Sequence, residues 1–465
     1  MSSAITTSGD QLAPPRPAIR DRRAVARTLL TIFIFPWIFD VRAQAGAEWL
    51  LVIQLLSFIS TTVIFVVAIK VFKRRVDLGS FAGNRFNLGV AVLFLSVAML
   101  SGFLEHNETF KIFAFSIPTI LFVYSILMIV VIAESGLRPE EVIGVVATMA
   151  IIAVLIRIPI IALLFGFDFG SVRYQIASAG TGVAIAYILA RIPGGLKPRE
   201  IAFAIAQALI ILLAVTRSAL LTVALMAGVL ISANWRRSLH PKTLLFSALG
   251  VPLFLAVIYF ISSQLPGDQM GRWLGRMSSF QSGTVDMSGL ERESQILYQI
   301  QQLSGGGSLQ KLIGFGIAAP GGNYGPLELY AASHGVHNIY VPTGFADNTY
   351  ISIFFLAGVL GGGPLLLAQF AWLWNSLRAV SFVFKRRPKS LSWLAMAPLG
   401  VIGFQISNVL GASFADRGES IFFGLCLGIT GWLTAIRRRE TSKKKKKKKR
   451  AVSPTMSAPP ALENA

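Results

Sequence analysis

Apolar runs of membrane-spanning length recur along nearly the whole chain and are separated by short charged breaks. A helix that crosses a bilayer needs about 20 mostly apolar residues, and its backbone hydrogen bonds are made inside the helix itself. The pattern therefore predicts an all-α integral membrane protein with twelve transmembrane helices. The predicted spans are 28–45, 48–69, 86–104, 110–133, 141–165, 173–190, 200–215, 218–233, 243–262, 349–377, 392–413 and 419–436.

The predicted spans divide the chain into five regions. Residues 1–27 form a basic N-terminus, and residues 28–262 contain the first nine spans. Residues 263–348 form one long connection, which we expect to contain short helices and active-site residues. Three further spans fill residues 349–436, and residues 437–465 form a basic tail that we expect to be disordered.

Lysine and arginine collect on alternate connections between the spans. Such residues favour the cytoplasmic side of short loops, so we expect both termini in the cytoplasm and the long connection on the periplasmic face. For the first span a cleaved signal peptide is the alternative, because "VRAQAGA" imitates a cleavage site, but we favour an uncleaved anchor. The basic segments are the N-terminus, 70–85, 191–199, 234–242, 378–389 and the tail.

The formal net charge of +21 has a simple explanation in this arrangement. The basic residues lie at the predicted cytoplasmic rim and in the run Lys443–Lys449. Each such residue is attracted to an anionic bilayer surface. Membrane lipids are therefore the expected partner of this charge, and nucleic acid is not.

Polar residues concentrate in the long connection. Its middle, "SGLERESQILYQIQQLSG", predicts an amphipathic helix that is capped by Ser288, ends at Gly305 and has apolar residues at 290, 296, 297 and 300. The glycine-rich stretch that follows contains Gly314 and Gly316, where the backbone can approach a ligand closely.

Three arginines lie where a cation in or near lipid needs a partner. Arg217 lies at the predicted outer junction of two spans, Arg157 lies deeper within a span, and Arg292 belongs to the amphipathic helix. Guanidinium groups bind phosphate oxygens bidentately and keep their charge, which suits a lipid-linked diphosphate. The alternative for Arg217 is a side chain that reaches the headgroups, and for Arg157 a structural role in a pocket at the Pro159 kink.

Four motifs occur in a set order between residues 210 and 363, namely "TRSALLTVALMAG", "ERESQILYQ", "LIGFGI" and "DNTYISIFFLAGVLGG". In this order they resemble the membrane family of O-antigen ligases, O-antigen polymerases and exopolysaccharide polymerases. The resemblance implies a GT-C-like glycosyltransferase of the bacterial inner membrane. Such an enzyme transfers a glycan from undecaprenyl diphosphate to an acceptor sugar hydroxyl at the periplasmic face, without a metal or another cofactor.

The resemblance also implies roles for matching residues. Arg217 and Arg292 correspond to the arginines that hold the diphosphate in the family. Ligases of the family commonly have a His-Asn pair where this chain has Asp347 and Asn348, and the aspartate favours a polymerase. A chain-length regulator is a candidate partner of a polymerase.

The acceptor hydroxyl needs a base when it attacks the anomeric carbon, and the leaving diphosphate needs charge stabilisation. Asp347 is the expected base, and His337 is the alternative or an assisting group. Asn338, Asn348 and Tyr350 are the expected sugar-binding residues. A helix N-cap is the structural alternative for "DNTY", and a solvated loop position is the alternative for the histidine.

Two other functions stay open at this point. One is an O-antigen ligase, which transfers the glycan to a lipid A-core acceptor. The other is a transporter or flippase of lipid-linked glycans, which would place ionisable residues along a path at mid-membrane depth. The polar residues of this chain concentrate on one face instead, so we favour the enzyme.

Overall fold

The computed structural model describes residues 19–39, 49–72, 82–165, 180–213, 217–233, 287–333, 348–409 and 416–452. Every regular element within these ranges is a helix, which confirms the all-α prediction for this part of the chain. The helices are α1 (Ile19–Ile34), α2 (Trp49–Phe72), α3 (Ala82–Leu104), α4 (Thr109–Ala133), α5 (Pro139–Phe165), α6 (Thr181–Arg191), α7 (Pro198–Leu213), α8 (Arg217–Ala233), α9 (Met287–Gly305), α10 (Ser308–Ile313), α11 (Gly325–Ser333), α12 (Thr349–Ala357), α13 (Gly363–Arg386), α14 (Met396–Ser407) and α15 (Arg417–Val452).

Four short segments connect or extend these helices. They are 3-10 turns at Phe35–Phe39, Ile192–Gly194 and Lys389–Ala395, and a π-helical segment at Gly358–Gly362 that joins α12 to α13.

Seven stretches among the described residues are long and apolar enough to cross a membrane. They coincide with seven of the predicted spans, so a multi-pass membrane protein is confirmed at this level. Helices α1, α6, α7 and α8 overlap four more predicted spans, and 243–262 lies outside the described residues. The total of twelve spans stays a prediction. The seven stretches are Val52–Phe72, Asn84–Leu104, Thr109–Ala133, Pro139–Ile156, Thr349–Arg386, Lys389–Ser407 and Arg417–Lys443.

Helix α15 forms the centre of the bundle and α2 its edge. In the apolar window of α15, 78% of the residues are buried, against 22% in α2. Lipid covers an apolar helix as well as protein does, so α2 can remain apolar on all sides although most of it is exposed.

A row of glycines lets α15 approach α4 and α3 closely. A Cβ atom on Gly424 would lie 2.6 Å from the carbonyl oxygen of Phe122, and one on Gly428 would lie 2.9 Å from Cβ of Ile129. The Asn84 Nδ2 group donates a hydrogen bond to the carbonyl oxygen of Gly428 at 3.3 Å. Small residues favour such close helix packing in membranes, where dispersion contacts and interhelical hydrogen bonds hold helices together.

Contacts between distant segments define two ends of the bundle. At the first, which we call the basic end, Arg27 pairs with Glu141, and the guanidinium of Arg387 donates to the Glu440 carboxylate at 2.9 Å. Each pair joins segments that twelve alternating spans place on one face.

At the other end, which we call the opposite end, the turn after α3 meets the segment after α10, and α12 meets α14. Asn107 Nδ2 donates to the carbonyl oxygen of Phe315 at 3.0 Å, and the Thr349 N–H donates to that of Asn408 at 3.0 Å. These pairs also agree with the predicted alternation.

Helix α9 confirms the predicted amphipathic helix, but Ser288 lies inside its first turn rather than ahead of it. Its buried face carries Leu290, Ser294 and Gln299, whereas Ile300 is 45% exposed. The buried face of α9 is therefore of mixed polarity, and one of the residues expected on its apolar face is exposed.

Exposed apolar side chains also occur on the two short helices that follow α9. Leu309 and Leu312 of α10 and Leu329 of α11 are exposed. Exposed apolar side chains on short helices suit the boundary between headgroups and acyl chains. The described part of the long connection thus has the surface of an element that lies on a bilayer.

Residues 437–452 of the tail that we expected to be disordered are described as the continuation of α15, and the rest of the tail lies outside the described residues. The buried span has already nucleated the helix, and lysine is a good helix former. The Arg387–Glu440 ion pair also anchors the helix just beyond the membrane stretch.

The glycine contact leads to a stability prediction. Gly424→Ala should lower the thermal midpoint of the detergent-purified protein, because overpacking a tight contact costs about 1–3 kcal/mol. Gly144→Ala is the matched control, since Gly144 is also helical but has no atom within 4 Å of the added Cβ. Equal midpoints for the two variants would contradict the close α15–α4 contact.

Candidate functional site

The start of α12 is fixed by Asn348, which is the N-cap of the helix. Its Oδ1 atom accepts a hydrogen bond from the Ile351 N–H at 3.2 Å, and its Nδ2 group donates to the Val409 carbonyl oxygen at 3.2 Å. The capping role expected for "DNTY" thus belongs to Asn348. Asp347 precedes it and lies outside the described residues.

Tyr350 ties the first turn of α12 to the last turn of α14. Its hydroxyl lies 2.9 Å from both the backbone oxygen and the side-chain Oε1 of Gln405. A tyrosine hydroxyl has one proton, so it donates to one of these oxygens at a time.

Two buried amide side chains at this junction, Gln405 on α14 and Asn408 directly after it, have atoms without a partner among the described residues. The Gln405 side chain is 4% exposed and that of Asn408 is 0% exposed. Among the described residues, nothing bonds to Nε2 of Gln405 or to Oδ1 and Nδ2 of Asn408. An unsatisfied buried polar group costs about 1–3 kcal/mol, so such groups call for water or a ligand.

Helix α9 joins the same junction from the side. The Ser352 hydroxyl donates to Oε1 of Gln299 at 3.2 Å, and both side chains are buried. Arg292 is half-buried on this helix, seven residues before Gln299 or roughly 10 Å along the axis. We call the group formed by Gln299, Asn348, Tyr350, Ser352, Gln405 and Asn408 the amide cluster.

Gly314 and Gly316 serve close packing against the protein's own backbone. Their φ angles are +78° and +81°, which favour glycine. A Cβ on Gly314 would lie 2.5 Å from the Ala357 nitrogen, and one on Gly316 would lie 2.0 Å from the Gly102 nitrogen. The close approach expected at these glycines is therefore to α12 and α3.

The segment after α10 provides hydrogen-bond donors for the carbonyl groups at the end of α12. Helix α12 ends because Gly358 adopts a φ of +56°, which leaves carbonyl groups of its last turn without helical partners. The Phe315 N–H donates to the Phe355 oxygen at 2.8 Å, and the Gly316 N–H donates to the Leu356 oxygen at 3.0 Å. The Ser101 hydroxyl donates to the Gly314 oxygen at 2.6 Å and holds the segment on α3.

The remaining predicted site residues are placed only in part. Arg217 is the first residue of α8 and Arg157 lies within α5, but their side chains are outside the description. His337 and Asn338, like Asp347, lie outside the described residues. The structure therefore brings together Asn348, Tyr350 and the helix of Arg292, and leaves the expected base and two arginines untested.

Sequence reasoning missed Gln299, Ser352, Gln405 and Asn408. A signal existed for the last two, because "GFQISNV" places two amides in an otherwise apolar span. Polar groups inside a span are costly and are associated with function.

Comparison with known proteins adds no assignment, since no protein-family model and no curated protein matches this chain. The family resemblance of the motifs stays a prediction.

The docked glycine segment leads to a second prediction. Gly316→Ala should undock the segment, because the added Cβ meets α3 backbone and a positive φ disfavours alanine. We expect a lower thermal midpoint and new protease cleavage near residue 316. Gly325→Ala is the control, since nothing lies within 4 Å of its added Cβ, and equal behaviour of the two variants would refute the docking.

Proposed function

We propose that the protein is a polysaccharide polymerase that acts on O-antigen or exopolysaccharide repeats. It transfers a glycan from undecaprenyl diphosphate to an acceptor sugar hydroxyl at the periplasmic face of the bacterial inner membrane. The proposal includes twelve GT-C-like spans, cytoplasmic termini, and the opposite end of the bundle as the active face. It combines the motif resemblance with the chemistry of the amide cluster.

The observation that supports the proposal most directly is a set of buried amide atoms on Gln405 and Asn408 that have no partner among the described residues. A side-chain amide has donors and an acceptor, and so matches sugar hydroxyls, which also donate and accept. The amides lie beside Asn348 and Tyr350, the residues expected to bind sugar. Their pairing by a substrate would remove the cost of leaving them unsatisfied.

The surroundings suit a donor that is linked to lipid. The helices of the connection that pack beside α12 expose Ile300, Leu309 and Leu312. A donor in the bilayer would reach the amide cluster at the boundary of lipid and water. A soluble donor would gain nothing from this apolar surface.

The reaction needs a base and a stabilised leaving group. The acceptor oxygen attacks the anomeric carbon, the bond from that carbon to the diphosphate oxygen breaks, and the acceptor proton moves to Asp347 or His337. Arg217 and Arg292, assisted by Arg157, neutralise the charge that grows on the departing diphosphate.

A ligase acting on a lipid A-core acceptor is the nearest alternative, and it shares the donor and the leaving group. The two differ in acceptor and in the favoured base, which is a histidine in the ligases of the family. His337 is the residue that would fill this role.

One separate observation supports a flippase as a second candidate function. Gln369 lies on α13 inside the bundle, 2% exposed, and neither of its amide atoms has a partner among the described residues. Unpaired polar groups inside the membrane are typical of a transport path. A Gln369→Leu variant that still makes polymer would remove this support.

The amide cluster leads to a test of the proposed function. Asn408→Leu fills similar volume but removes both amide atoms, so a deletion strain carrying it should accumulate single repeats on the lipid carrier. Gln301→Leu is the control, because it also removes a side-chain amide but at an exposed position. Asn107→Leu would not serve, because the Asn107 amide holds the docked segment. Full-length polymer from Asn408→Leu at equal membrane abundance would overturn the sugar-binding role.

A final variant pair in the same strain identifies the base. Asp347→Asn should abolish polymer while α12 stays capped, because the cap is Asn348. His337→Ala should reduce polymer only in part. The glycan profile of the strain is the measurement. If Asp347→Asn is active and His337→Ala is inactive, His337 is the base and the ligase is favoured. Loss of a ligase would leave finished polymer on the lipid carrier.

A further inference from the structure

The basic end of the bundle contains a groove between α13 and α15, far from the amide cluster in the fold. Its volume is about 340 Å³. Four cationic side chains and two hydroxyl groups contribute to its walls: Arg378, Lys385, Arg386, Arg437, Ser381 and Thr441.

The groove has the electrostatics of an anion site. The described residues that line it include no carboxylate, so among them the four cations have no acidic partner in the groove. The nearest acidic residue in sequence, Glu440, instead binds Arg387 at 2.9 Å, and neither of them lines the groove. Like charges this close repel, and a bound phosphate would offset that repulsion while accepting charge-assisted hydrogen bonds.

A stripe of exposed apolar side chains on α13 leads into this groove. Leu367, Phe370 and Trp374 are 69%, 62% and 55% exposed. Their spacing places them on one helix face with Arg378. On that face lipid is the expected neighbour, because these residues lie within a candidate membrane span.

Trp374 and Arg378 mark the depth at which the stripe meets the groove. The Arg378 guanidinium carbon lies 4.5 Å from the centroid of the Trp374 ring, which is a cation–π contact. Tryptophan is enriched at the membrane–water boundary. The change from apolar stripe to cationic groove therefore falls at headgroup level.

We propose that this groove binds the phosphate of an anionic phospholipid, with an acyl chain along Leu367, Phe370 and Trp374. A free phosphate would fit the charges but would leave the stripe unused, which favours the lipid. The bound lipid bridges α13 and α15, whose basic side chains otherwise repel. This inference does not depend on the proposed enzymatic function.

The first experiment compares two variants that lose the same charge. The groove variant is Arg378→Gln with Lys385→Gln and Arg437→Gln. The control is Arg438→Gln with Arg439→Gln and Lys443→Gln. These three residues are exposed on α15 close to Arg437, but they do not line the groove. Native mass spectrometry of the full chain with phosphatidylglycerol or phosphatidylcholine measures bound lipid, and thermal midpoints report stabilisation.

We expect the groove variant to bind phosphatidylglycerol at least about tenfold more weakly than wild type, since each basic residue near an anionic headgroup adds about a kilocalorie. The control variant should keep most of the binding, and phosphatidylcholine should bind weakly to all three proteins. Equal loss in both variants would mean diffuse attraction and would overturn the site. Equal stabilisation by inorganic phosphate at matched ionic strength would overturn the lipid as occupant.

A second measurement does not need the groove variant to fold. Phosphatidylglycerol with brominated acyl chains should quench the tryptophan fluorescence of the wild-type protein more than brominated phosphatidylcholine does. Trp374→Phe should abolish most of that difference. No difference between the two lipids in the wild-type protein would contradict the proposal.

Discussion

The break in the membrane helix at Gly358 is the constraint on which the opposite end of the bundle depends. Backbone groups in or near lipid need internal partners, and the carbonyls of Phe355 and Leu356 find theirs in the segment of Gly314 and Gly316. That segment is held in turn by Ser101 and Asn107. Elements more than 200 residues apart in sequence are therefore held together by hydrogen bonds. The same contacts fix the position of α12, whose first turn belongs to the amide cluster.

Sequence patterns predicted those parts of the fold that depend on composition alone. Seven of the twelve spans predicted from long apolar runs coincide with candidate membrane stretches, and the Asp-Asn pair predicted the start of α12 to within a residue. The helical continuation into the basic tail was not expected, because a buried helix can propagate into residues that have no apolar pattern of their own. The orientation of α9 was not predictable, since an amphipathic pattern does not say which face meets lipid and which meets protein.

Only the α12 side of the candidate site was identified from the sequence. Asn348 and Tyr350 lie two residues apart in one motif, whereas Gln405 and Asn408 come from a segment that folding brings beside it. A single sequence contains no signal for that pairing. Glycine positions illustrate the same limit: Gly314 and Gly316 were expected to let the backbone approach a ligand, whereas in the structure they approach α12 and α3.

The two ends of the bundle use different chemistry. The basic end carries guanidinium and ammonium groups that remain near water, while the opposite end buries neutral amides and hydroxyls. Burying a neutral polar group costs much less than burying a charge. The neutral groups of the opposite end can therefore be buried in the protein, whereas the cationic groups of the basic end stay near water.

The helical continuation of α15 sets the distance between the far end of the helix and its membrane stretch. At 1.5 Å per residue, a helix that continues from Ile436 to Val452 extends roughly 24 Å along its own axis. The Debye length at physiological ionic strength is about 8 Å. Positions near the far end of this rod are separated from its base by about three Debye lengths along the helix axis, so charges at the two ends of the rod act almost independently of each other.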